Sequence, residues 1–228
     1  MGLSLYFDEH GNFSIIPPDP TEWTKYGMLS QRVSLKEHLK WDEVANLHDI
    51  IRKSDIWEGF PAIGYTLLSS ELKGGDENQR IDMLYLRNDG ALLPCEIKIG
   101  GSNMDSHGQL IRYIADLHYQ KPDMNYLLKK HNQFLQKVTN AVSKQLHKEK
   151  FNDFITENKL NDKNIRTLPK TGILIDELFK PQLLKAVRYL NDMCGFAIRL
   201  IQIETFVDSK WDDSWTNFIY RIDFNDID

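Results

Sequence analysis

The chain has little cysteine. Only Cys95 and Cys194 occur among 228 residues, both in apolar surroundings. Two such residues cannot staple a disulfide scaffold, and they point to packing in a reducing compartment. No apolar run approaches the roughly 18 residues that span a bilayer. No basic-then-apolar leader opens the chain, so a cytoplasmic protein with no membrane contact is expected. No internal repeat and no low-complexity tract occurs. Zinc-type spacing is also missing, because His107 and His118 have no further ligand type close in sequence. Excess positive charge is absent too. The formal net charge is −5, so the molecule as a whole lacks the basic signature of a nucleic-acid binder.

What is present is the balance of a globular domain, with 41% hydrophobic and 27% charged residues. The length fits one domain carrying an insertion or small appendage, and it suffices to bury a full core. Charge is unevenly spread. Residues 121–170 hold eleven Lys and Arg against five Asp and Glu, while the remainder holds 17 against 28. That stretch reads either as a solvated helical surface or as one that contacts phosphates.

Alternation around Asp8-Glu9-His10-Gly11-Asn12 predicts a hairpin pairing Leu3–Phe7 with Phe13–Ile16. Pro17, Pro18 and Pro20 end it. Ser34 and Glu37 have capping-box spacing and open a helix expected to reach about Ser54, with Leu35, Leu39, Val44, Leu47, Ile50 and Ile51 as its apolar stripe. Strands are expected over Phe60–Lys73 (with Gly64 a candidate bulge), Gln79–Arg87 and Ala91–Ile99. Asn88-Asp89-Gly90 turns the last two into a hairpin. A helix follows from Met104 to Tyr119. Pro122–Lys150 then forms one helical segment, Phe151–Leu160 a short helix, and Asn161–Lys170 a loop. Strand Thr171–Asp176, helix Pro181–Met193 stopped by Gly195, and strand Phe196–Phe206 make a β-α-β unit, which needs a helical crossover between parallel strands. A last strand over Phe218–Phe224 is placed beside the N-terminal hairpin. The expected organisation is one α/β domain over 1–228. Hairpin and connector fill 1–33, the first half of the core 34–121, a helical insertion 122–168, and the second half of the core 169–228.

The chemistry gathers in Arg80-Ile81-Asp82, in Cys95-Glu96-Ile97-Lys98 and in Gly108-Gln109-Leu110-Ile111-Arg112-Tyr113. Asp82 and Glu96 sit among apolar residues on strands expected to pair. Strand alternation puts Glu96 and Lys98 on one face and Cys95 and Ile97 on the other. Two carboxylates brought together out of water are costly unless a cation compensates. A divalent ion can do so, with a lysine beside it to orient water or to hold charge on a phosphate oxygen. The other reading is a structural ion-pair cluster, which is expensive at strand centres. Gln109 and Tyr113 lie four apart, on one face of the next helix. Cys95 reads as core packing.

This ordered set resembles the PD-(D/E)xK nuclease superfamily, with Asp82 as its acid and Glu96-Ile97-Lys98 as its E-x-K. Ile81 stands where the motif's proline would be. Gln109 with Arg112 and Tyr113 is similar to the Q-x-x-x-Y helix of the branch holding RecB-like and archaeal repair nucleases. The resemblance implies a restriction-endonuclease-like core: a mixed central sheet flanked by helices, here with an N-terminal β-hairpin and a helical insertion. It implies that Asp82, Glu96 and the backbone carbonyl of Ile97 hold Mg²⁺, for which Mn²⁺ substitutes. Lys98 and Gln109 would complete the catalytic set. Such nucleases often add an acid from the first core helix, for which Glu43 is the candidate and Glu37 the second choice. Arg112 and Tyr113, and Lys129, Lys130 and Lys137 of the insertion, are expected to contact nucleic acid.

Three classes of function follow. The first is a DNA nuclease of repair or of defence and restriction, an endonuclease before an exonuclease, with a homodimer as one arrangement. The second is an RNA-cleaving enzyme of the same fold. The third is a non-catalytic nucleic-acid-binding or interaction module. Trp23, Trp57, Trp211 and Trp215 are candidate stacking platforms, and Glu71 is a further acid at the end of its strand.

Overall fold

The strand Ala91–Ile97 (β6) is buried along its whole length, and the fold builds outward from it. The computed structural model describes residues 3–7, 13–14, 29–55, 64–73, 80–101, 105–208, 210 and 220–227. Other strands are Leu3–Phe7 (β1), Phe13–Ser14 (β2), Leu29–Val33 (β3), Tyr65–Lys73 (β4), Arg80–Arg87 (β5), Arg166–Thr167 (β7), Thr171–Asp176 (β8), Ala197–Asp208 (β9) and Tyr220–Ile227 (β10). Helix α1 comprises a π-helical turn, Glu43–His48, continued by the α-helix Asp49–Asp55. Then come Ser106–Gln120 (α2), Met124–Lys137 (α3), Ala141–Glu157 (α4) and Pro181–Cys194 (α5).

Among the described residues these strands form one mixed, curled sheet in the order β2-β1-β10-β9-β8-β6-β5-β4, with helices on its faces. β6, β8 and β9 run parallel, joined by helical crossovers, and the other long pairs are antiparallel. This is an α/β core. β1 and β2 form the expected hairpin, and β10 closes against β1.

The faces follow from strand alternation. Odd residues of β6, Leu93, Cys95 and Ile97, pack with Leu47, Ile50 and Ile51 of α1 and with Ile173 and Ile175 of β8. The opposite face carries α2 and α5. There Leu110 and Ile114 meet Leu174, Leu183, Val187, Ile198 and Leu200. Gly172 lets α2 approach β8, because a Cβ there would stand 2.8 Å from Leu110 Cδ1. Gly90 has φ +84° in the β5–β6 turn and its Cβ position is filled by the Asn164 carbonyl, so only glycine fits. Pro94 lies in a central strand, where a missing N–H is usually a defect. It falls between the Leu92–Thr167 and Cys95–Ile173 pairs, where the neighbouring strand changes from β7 to β8.

The structure corrects four expectations. Residues 34–54 are not one helix. A turn over 35–38 is ended by Lys40 in the left-handed conformation (φ 55°), and Asp42 then caps a new helix by accepting from Val44 N (2.9 Å) and Ala45 N (2.8 Å). The bulge in β4 lies at Leu68 rather than Gly64. Its carbonyl, freed from the ladder, accepts from His131 Nδ1 at 3.0 Å. The insertion is not one helix to 150 with a short one after it. It breaks at 138–140, where Asn140 caps α4 through Ser143 N (2.9 Å), and α4 runs on to Glu157. Arg166–Thr167, expected in a loop, adds a short strand to β6.

Candidate metal centre

Register assembles the site. Met83 pairs with Cys95, so Asp82, one step further, lies opposite Glu96 at the end of the β5–β6 ladder. Glu96 is 1% exposed. Its oxygens lack well-directed hydrogen bonds, and its compensation is charge: Lys98 Nζ stands 2.7 Å from Oε1. The same ammonium is 3.8 Å from Asp82 Oδ2 and 3.4 Å from Glu43 Oε1, and it donates to the Ile97 carbonyl at 2.9 Å. Asp82 also accepts from Ile97 N at 2.8 Å. One lysine therefore serves three carboxylates.

Burial, then repulsion from Glu96, pushes Asp82 well above the ordinary aspartate range, against the pull of Lys98. Burial likewise raises Glu96, with Lys98 opposing. For Lys98, burial alone would lower the pKa, but Asp82, Glu96 and Glu43 outweigh it and hold the lysine protonated above its usual value. The cluster has more buried negative charge than one lysine neutralises. An added cation would reverse that imbalance and favour the ionised form of both acids.

Sequence reasoning missed His48. It is 1% exposed, neither ring nitrogen has a hydrogen-bond partner among the described residues, and Nε2 lies 4.0 Å from Asp82 Oδ2. Burial, then the charges of Arg52 and Lys98, lowers its pKa to about 4, so the ring is neutral at pH 7 with a lone pair to give. Glu43, His48 and Asp82 each offer one ligand atom, and these lie within 4.8 Å of one another. The π-turn makes this possible. In an α-helix residues five apart point about 140° away from each other. The i→i+5 winding of Glu43–His48 swings both toward Asp82. Imidazole nitrogens with no partner among the described residues and surplus carboxylate charge fit a divalent cation.

The other expected residues divide. Ile97 places its carbonyl at the cluster. Tyr113 comes in from α2 on the opposite face, buried, and burial plus the charges of Glu96 and Asp82 raise its phenol pKa. Gln109 is half-buried one turn before it, and Arg112 is exposed on the same helix. Lys129 is exposed and Lys130 stands over the Tyr126 ring (5.3 Å), two turns before Lys137 on α3. Lys137 reaches the site's border, donating to the Glu71 carbonyl at 3.0 Å. Glu37 lies on the turn before α1 and donates its N–H to Ser34 Oγ. Trp23, Trp57, Trp211 and Trp215 lie outside the described residues.

Two acids at the end of β8 position the segments that carry these groups. Glu177 accepts from Leu35 N, from Gly100 N (3.0 Å) and from Ser34 Oγ (3.3 Å), tying the approach to α1 to the loop after Lys98. Asp176 accepts from Gly101 N at 3.2 Å. Asp-Glu after an apolar strand gave no signal of this, because the partners that matter here, Ser34, Leu35, Gly100 and Gly101, lie more than 70 residues away. Among the described residues no helix is long and apolar enough to cross a membrane. No family model matches the chain, and no curated protein or solved structure matches it either.

Proposed function

We propose that this chain is a metal-dependent nuclease of the PD-(D/E)xK type with a restriction-endonuclease-like core, hydrolysing DNA phosphodiester bonds in repair or in defence. One observation carries the reading: a half-buried lysine stands amid Glu43, Asp82 and Glu96, beside a neutral histidine that has no hydrogen-bond partner among the described residues. Asp82, Glu43 and His48 are the ligand set, with Glu96 and the Ile97 carbonyl beside it. Held there, a divalent ion would supply a bound water of lowered pKa and offset charge on the scissile phosphate. Lys98, held protonated by its three acids, donates to the attacking water or to a phosphate oxygen. Tyr113 supports Glu96 from α2. Arg112 and Lys129, Lys130 and Lys137 contact the phosphate backbone.

The nitrogen ligand has a consequence for the ion. Mg²⁺ favours an all-oxygen shell, and His48 tilts the site toward Mn²⁺. Cleavage of duplex DNA, single-stranded DNA and RNA in Mg²⁺ and in Mn²⁺ tests the proposal. DNA cleavage that exceeds RNA cleavage and is abolished by EDTA supports it. RNA cleavage alone moves the enzyme to the ribonuclease class. Binding without cleavage of any substrate makes the chain a binding module.

A further inference from the structure

Glu71 lies between the Ser70–Met83 and Leu72–Ile81 pairs, so register sets it opposite Asp82, one strand out from the metal centre. Its backbone is left-handed, φ 50°, which is unusual for a side-chain-bearing residue inside a strand. Such conformations persist where surrounding contacts hold them. Here two cations do. Lys137 takes the Glu71 carbonyl, and Arg52 faces its carboxylate with Nη1 3.6 Å from Oε1. Arg52 also faces Asp49, again at 3.6 Å. Both contacts exceed hydrogen-bond length, so the guanidinium fork, 24% exposed, is charge-balanced with donors to spare.

We propose that Arg52 and Lys137 form a phosphate subsite flanking the metal centre on its β4 side, which holds the phosphate next to the one that is cut. This rests on the nuclease reading. In the free protein Glu71 occupies the subsite, and an arriving phosphate displaces its carboxylate from Arg52. A bidentate guanidinium–phosphate pair is stronger than the stretched contacts it replaces. Lys130 lies seven residues before Lys137, hence on nearly the same side of α3 and about 10 Å away. It continues the track along the insertion. The helical insertion thus guides the strand as well as covering the sheet edge.

The test is binding of a fluorescent single-stranded and a duplex oligonucleotide in EDTA, over a salt series. Parent, Arg52→Gln, Lys137→Gln, Glu71→Gln and a control, Lys185→Gln on α5, are compared. The subsite requires Arg52→Gln and Lys137→Gln each to weaken binding several-fold and to flatten the log–log salt slope by about 0.7–0.9. Glu71→Gln must tighten binding, because it removes the competing carboxylate, and the control must match the parent. Arg52→Lys, which keeps the charge and loses the fork, must retain most of the salt slope at weaker affinity. It is the substitute should Arg52→Gln not fold. A parent that cleaves DNA in Mn²⁺ while Arg52 and Lys137 variants keep its affinity and slope overturns the subsite and leaves the reaction standing. Glu71→Gln that binds more weakly and loses stabilisation by Mn²⁺ also overturns it, making Glu71 a metal ligand. A parent that cleaves no substrate in either ion refutes the nuclease reading, even if the oligonucleotide series behaves as required.

Discussion

Asp82, Glu96 and Lys98 show how a site is held at a cost. Asp82 keeps its proton to higher pH when folded than when unfolded, so the fold loses stability as pH rises from its ordinary value of 3.8 through the raised folded one. Asp82→Asn removes that cost and can still accept from Ile97 N. It is expected to raise metal-free stability by about 0.5–2 kcal/mol while abolishing stabilisation by Mn²⁺. Thermal melts with and without the ion check both halves. Lys98→Ala should act in the opposite sense, leaving three carboxylates uncompensated. Its melting temperature should fall most at pH 8 and recover toward pH 5 as the acids take up protons. A loss independent of pH would mean that Lys98 matters only for packing. These residues were legible in the sequence because strand alternation and the Asp-Gly turn place them without tertiary information. His48 was not legible. Five residues from Glu43, it lies on another face of any regular α-helix, and only the π-turn brings it round.

At the scale of elements, the insertion does more than its sequence showed. Phe134 and Leu135 of α3 join the core on the α1 face, while Leu127 of α3 and Phe151 of α4 join the core on the α2 face. The two helices thus wrap β4, the last strand of the sheet, and shield an edge open to pairing with other chains. His131 is stacked on Phe151 (3.9 Å), and His147 meets Phe134 edge-on (5.1 Å). Burial, then the charges of His131 and Lys150, lowers His147 to about 4 from 6.5. The unfolded chain therefore binds the proton first, and stability is lost as pH falls from about 6.5 toward 4, by up to about 3 kcal/mol. His147→Leu should remove that part of the acid sensitivity. An unchanged difference in denaturation midpoint between pH 7 and pH 4.5 would refute the assignment. Helicity of the insertion was legible from its apolar spacing. The break was signalled only by Val138-Thr139-Asn140, a β-branched pair before a capping residue.

At the scale of the molecule, the order of elements was readable because each local signal agreed with the next. The N-terminal hairpin, the β5–β6 hairpin, α2 and β8-α5-β9 all stand where the pattern put them. Long-range pairing was not readable, because hydrogen bonds between distant segments leave no periodicity. β3 continues the line of β8 along β9, and Glu177 binds the two segments flanking the site across the sheet's end. With a net charge of −5, the proposed nucleic-acid substrate would have to be met by a local basic surface, and Arg52 and Lys137 border the acidic centre. The central claim concerns that centre and is tested most directly by single-turnover cleavage of a DNA substrate in Mn²⁺. The rates of parent, Asp82→Asn, His48→Ala and Lys98→Ala are compared, with Mn²⁺ binding measured on each. The account predicts cleavage by the parent, lost metal binding and lost cleavage for Asp82→Asn, and weakened metal binding for His48→Ala. For Lys98→Ala it predicts retained binding with a rate lower by about 10²-fold or more. Cleavage at the parental rate by Asp82→Asn and Lys98→Ala would contradict it.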